Sequence, residues 1–165
     1  MRKLLLLILL GALSSGAVAS GCNSYDRAVE DYNSLTNRYN LIAKAYNTQL
    51  DAYDDEIYIK VATFKMDEIL GGLERPQLRR FLRSMASIQN VFGTALTNLQ
   101  DIRDSLEDIE YDYLFDISGR CERDAKKLIK NELLSLNNMA YNLSTKYERL
   151  YDKYDDDIES LNELL

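Results

Sequence analysis

Residues 25–53 read YDRAVEDYNSLTNRYNLIAKAYNTQLDAY. Tyr25, Tyr32, Tyr39, Tyr46 and Tyr53 recur every seven residues, and Asn33, Asn40, Asn47 and Asp54 each follow one of them. Val29, Leu35, Ile42 and Leu50 fill the spacings of three and four between them, which is the stripe of a helix buried along one side. A strict seven-residue period drifts about 20° per heptad on a straight helix, so holding it on one seam requires a left-handed supercoil with a helical partner. The stretch predicts a long helix packed lengthwise, its rings inward and its hydroxyls reaching water at the groove edge. A second use of the same pattern is an exposed aromatic and amide ladder for glycans or a partner helix.

The stripe continues through Ile57, Val61, Phe64 and Ile69, giving a helix over about 24–70. A second run passes from Leu78 through Phe81, Leu82, Met85, Ile88, Phe92, Leu96, Leu99, Ile102, Leu106, Ile109 and Tyr113 to Ile117. A third runs from Cys121 through Ala125, Leu128, Leu133, Leu136, Met139, Leu143, Tyr147, Leu150, Tyr154, Ile158 and Leu161 to Leu165. Gly71, Gly72 and Pro76 separate the first two and Gly119 the last two, as helix stops should. No stretch alternates with period two, so no sheet is expected. The prediction is all-α: an elongated antiparallel three-helix bundle with coiled-coil-like packing, one domain over 22–165 with helices about 24–70, 77–117 and 120–163. Such helices are about 60–70 Å long, and matched lengths with short connections favour an up-down-up path. The competing fold keeps the second and third runs as one helix, because their apolar phase nearly continues across Ser118-Gly119-Arg120. Asp152-Lys153-Tyr154-Asp155-Asp156-Asp157-Ile158 also echoes Asp51-Ala52-Tyr53-Asp54-Asp55-Glu56-Ile57, a weak internal duplication.

The chain opens with Met1-Arg2-Lys3, the apolar run Leu4 to Leu13 and the exit Val18-Ala19-Ser20-Gly21-Cys22. A basic head, an apolar core of about ten residues and a small-residue exit form an export signal. This one resembles a prokaryotic lipoprotein signal, with Ala19 where the usual pattern has Leu. The resemblance covers residues 1–22 and implies cleavage after Gly21, a diacylglyceryl thioether on Cys22 and attachment to the extracytoplasmic face of a membrane. Ala17-Val18-Ala19 also satisfies the small-x-small rule for plain secretion, which would cut after Ala19 and release a chain starting at Ser20. Retention as an uncleaved anchor is the third reading, although the apolar core is short against the roughly 20 residues of a spanning helix.

Taking Arg2 and Lys3 from the 20 basic residues leaves 18 against 27 acidic ones, a net charge of −9 after cleavage. That balance argues against nucleic acid as a partner. The chain has no His and no Trp, so the commonest general base and neutral metal ligand are missing. We expect no catalytic residues, no metal and no cofactor. The acidic clusters at 51–57 and 152–158 lack the glycine-bearing loop of a calcium site and read as solvated faces. In the up-down-up path Cys121 returns to the end where Cys22 enters. A lipidated Cys22 leaves Cys121 alone and buried, whereas an unmodified Cys22 can bridge to it.

Arg75, Arg79, Arg80 and Arg83 form the one concentrated basic patch, and 75, 79 and 83 share a helix face. They are candidates for binding a polyanionic partner at the far tip, or for pairing within the bundle with Asp and Glu. Asn142-Leu143-Ser144 is a glycosylation sequon of the kind that is common by chance. Together these features predict a non-enzymatic, membrane-anchored extracytoplasmic lipoprotein acting as a scaffold, spacer or protein-interaction module, with an envelope protein as partner or a second copy of itself. A ligand-binding or sensing bundle, or a secreted one stapled by Cys22 and Cys121, is the alternative.

Overall fold

The computed structural model describes residues 22–115 and 117–165. The leader, with both expected cleavage points at Gly21 and Ala19, lies outside the described residues. The rest forms three rods. The first comprises α1 (Asn23–Ala52), a π-helical turn (Tyr53–Ile57) and α2 (Tyr58–Ile69). The second is α3 (Arg75–Ile109) followed by a π turn (Glu110–Leu114). The third opens with a 3-10 turn (Gly119–Cys121) and runs through α4 (Glu122–Lys127), a π turn (Leu128–Leu133) and α5 (Leu134–Asn162).

The turns between rods follow from glycine. Gly71 adopts φ +72°, its N–H donates to the Glu68 carbonyl at 3.1 Å, and the Gly72 N–H donates to the Asp67 carbonyl at 2.8 Å. This pair of bonds closes the helix end with its chain reversed. Pro76 then sits in the first turn of α3, where its missing N–H costs nothing. At the other connection Ser118 is extended and Gly119 takes φ +74°, a left-handed conformation that Gly occupies without steric penalty. The second and third rods are therefore separate, and the single continuous helix does not form. The second rod starts at Arg75 and ends at Leu114, so Ile117, expected inside it, lies in the connection.

Residue pairing gives the directions. Between the second and third rods, Gln89 meets Asp155, Phe92 meets Tyr147 and Tyr154, and Arg103 meets Asn137. One number falls as the other rises, as antiparallel neighbours require. Phe64 against Phe81 fixes the first and second rods as antiparallel too. The first and third run in the same direction: Cys22 pairs with Cys121, Tyr32 with Glu132, Tyr46 with Tyr147 and Tyr53 with Tyr154.

One core fills the length of the bundle, with Tyr147, Tyr154, Phe92, Leu78, Met85, Leu99, Ile102, Leu150 and Leu161 its largest fully buried side chains. Ala28, Ala43, Ala95 and Ala140 are buried among them, small residues that let the rods approach. Ile69, read as part of the inner stripe, is 79% exposed: four-residue steps through Ile57 and Val61 carry the stripe to Phe64, and Ile69 falls to the side.

Candidate functional site

Three places hold the residues singled out by the sequence: the tyrosine seam, the end that joins Cys22 to Cys121, and the opposite tip.

Along the seam, Tyr32, Tyr39 and Tyr53 are buried while Tyr25 and Tyr46 are half-buried against the same core. The rings point inward as the heptad predicts, but the hydroxyls do not simply reach water. Tyr32 donates to Glu132 Oε2 at 3.1 Å and Tyr53 to Asp157 Oδ2 at 2.7 Å. From the third rod, Tyr147 donates back to the Ile42 carbonyl at 3.1 Å. Tyr46 meets Tyr147 edge to face with ring centroids 5.0 Å apart, and Phe92 stands edge-on to Tyr154 at 5.1 Å, the arrangements that aromatic quadrupoles favour. Burial raises the pKa of Tyr25, Tyr32, Tyr39 and Tyr46, and pushes Tyr147 and Tyr154 up to about 12. Tyr53 is raised further, by burial first and then by its bond to the Asp157 carboxylate. The ladder is packing surface, not a row of rings free to stack on a ligand.

An open groove of about 410 Å³ remains beside it, bounded by Tyr39, Tyr46, Asn47, Met139, Asn142 and Lys146. The sequon's Asn142 is exposed there, and its Ser144 hydroxyl donates to the Ala140 carbonyl at 3.1 Å. Asp155 and Asp157 of the acidic cluster accept hydrogen bonds from Gln89 and Tyr53. Among the described residues no three His, Cys, Asp or Glu side chains gather where they could hold a metal ion.

At one end, Cys22 and Cys121 form a disulfide with Cα atoms 6.2 Å apart, closing 99 positions of sequence. Cys121 is buried and Cys22 half-buried. Asn23, Ser24, Tyr25, Ile117 and Ser118 surround the bond. A cysteine sulfur has one valence beyond Cβ, so this bond and a thioether to lipid exclude one another.

At the tip, Arg75, Arg79, Arg80 and Arg83 are all exposed. Arg75 Nη1 donates to the Leu165 carbonyl at 3.0 Å. The expected pairing of the others with bundle carboxylates does not occur: the ion pairs among the described residues are Arg123–Asp124 and Lys126–Glu122, both near the disulfide end. The Lys126 contact holds Glu122 below the usual carboxylate range. Arg79, Arg80 and Arg83 thus present charge to solvent.

Beside this patch lies a surface that the sequence reading missed. Only Val61 of the twelve residues of α2 is buried, while Tyr58, Ile59, Met66, Ile69 and the adjoining Leu70 are exposed. The signal for it was the recurrence of Ile59, Met66 and Leu70 off the inner stripe. No helix among the described residues is long and apolar enough to cross a membrane. No known protein family, no characterised protein and no solved structure matches this chain.

Proposed function

We propose that the mature chain works outside the cytoplasm as a non-enzymatic helical scaffold, spacer or protein-interaction module of a prokaryotic envelope. The observation that carries this is the Cys22–Cys121 bond, because such bonds persist in oxidising, extracytoplasmic compartments. The export signal at residues 1–22 is consistent with it, and the exposed arginines and apolar face of α2 are the surfaces such a module would offer.

Two forms of this module differ at one sulfur. In the lipoprotein form the leader is cut after Gly21 and Cys22 carries a diacylglyceryl thioether that holds the bundle at a membrane; the leader's resemblance supports it. In the secreted form cleavage follows Ala19, the chain begins at Ser20 and Cys22 stays bonded to Cys121; the disulfide favours this one. Intact mass of the exported protein, with and without reductant, decides between them. A mass starting at Ser20, rising by two hydrogen atoms on reduction, establishes the secreted form. A mass starting at Cys22 with an added diacylglyceryl group and no change on reduction establishes the lipoprotein. A chain found only in the cytoplasm with both thiols free would overturn the proposal.

A further inference from the structure

We propose that a second copy of this chain docks antiparallel on the outer face of α2. This deepens the interaction-module reading by naming a partner and a surface.

Ile59 and Met66 are 58% and 55% exposed, and Leu70 is 74% exposed. With Thr63, also exposed, they recur at steps of four, three and four, the seam of a two-stranded coiled coil. The seam faces away from the bundle, since Val61 and Phe64 of the same helix turn inward. Its apolar residues gain nothing in the monomer, and their burial against a like surface is favourable by the hydrophobic effect.

Charge selects the occupant and its direction. Lys60 and Asp67 occupy one flank, seven residues apart and opposite in sign. In an antiparallel pair that flank faces its own copy. Aligning Thr63 with the partner's Met66 and Leu70 with the partner's Ile59 brings Lys60 beside the partner's Asp67, twice by symmetry. On the other flank the same alignment sets Ala62 against the partner's Ile69, so apolar meets apolar. The Lys60 ammonium lies 5.9 Å from the Phe81 ring, and this places it at the edge of α2. A parallel pair would instead leave Asp67 facing Ala62 and form no Lys60–Asp67 contact. The surface is self-complementary in this antiparallel alignment, which is the requirement of a two-fold interface.

The test is sedimentation of the exported protein from micromolar to about millimolar concentration. A reversible dimer is expected. Met66→Glu should abolish it, with the helical circular dichroism spectrum unchanged because the side chain is exposed. Lys60→Glu alone and Asp67→Lys alone should each raise the dissociation constant about tenfold, since two attractive pairs become repulsive, and the double variant should restore it. A protein that stays monomeric throughout overturns the proposal. So does a dimer that Met66→Glu leaves intact, one that Asp67→Lys leaves unmoved, or association only with a different polypeptide. None of these variants alters the cleavage point or the state of Cys22, so the localisation reading stands or falls separately on mass.

Discussion

At Tyr53 a ring spaced by seven from Tyr46 does two jobs: it fills the seam, and its hydroxyl bonds Asp157 on the third rod. Tyr53→Phe keeps the first and removes the second. It should lower stability by about 1–3 kcal/mol, the range that spans neutral bonds and bonds to a charged group, measured by urea unfolding; no loss would mean that Asp157 is equally well served by water. The tyrosines also set an alkaline limit. Burial lifts Tyr147 and Tyr154 from the unfolded value near 10 to about 12, so the folded state holds protons there that the unfolded chain gives up. The contribution of these two is complete below pH 10 and is lost as pH rises toward 12, at roughly 1.4 kcal/mol per pH unit for each of them in that window. Absorbance titration of the phenolates followed beside helical circular dichroism should show ionisation and unfolding together above pH 10. Complete ionisation near pH 10 with the helices intact would contradict it. The period of seven made these residues legible as a seam. Their carboxylate partners were not legible, because a register across 100 positions cannot be read from either strand of the pair alone.

Elements were legible where a single phase holds and illegible where it slips. Each rod contains a π turn, at Tyr53–Ile57, Glu110–Leu114 and Leu128–Leu133. Such a turn adds one residue to the helix and shifts the buried stripe. The five-residue steps from Ile109 to Leu114 and from Leu128 to Leu133, all four buried, are its trace in sequence. Tyr113 appeared to continue the phase, and this hid the first of them. Glycine gives the sharpest test at this scale. Gly93 lies within α3 with nothing within 4 Å of an added Cβ, and Gly119 has equally open space but a φ of +74°. Gly93→Ala should stabilise the protein by about 0.5–1 kcal/mol, since alanine loses less entropy on entering a helix. Gly119→Ala should destabilise it by about 1–2 kcal/mol through backbone strain alone. Thermal melts of the two variants moving in the same direction would break the argument.

Across the whole molecule, the weak internal echo acquires a spatial meaning. Asp51–Ile57 and Asp152–Ile158 are offset by 101 positions, and the first and third rods lie side by side at that offset, with Tyr46 against Tyr147 and Tyr53 against Tyr154. Two similar stretches running in the same direction therefore meet in register, and Phe92 from the antiparallel second rod packs against Tyr147 and Tyr154 of the third. The seven-residue repeat of the first rod would by itself fit again one repeat on, and the Tyr32–Glu132, Tyr53–Asp157 and Tyr147–Ile42 hydrogen bonds select one register. The Cys22–Cys121 bond, 99 positions apart, belongs to the same register and fixes it from one end. It also closes a loop long enough that the chain-entropy account assigns it about 4–5 kcal/mol, through restriction of the unfolded chain. Reduction, or Cys121→Ser, should leave the helical spectrum intact while lowering the melting temperature by on the order of 10 °C. Phe92→Ala supplies the comparison: it removes the ring between Tyr147 and Tyr154 and should cost about 3–5 kcal/mol whether or not the disulfide is present. If reduction leaves the melting temperature where it was while Phe92→Ala lowers it, the aromatic core alone holds the register, and the bond at the end serves something other than stability.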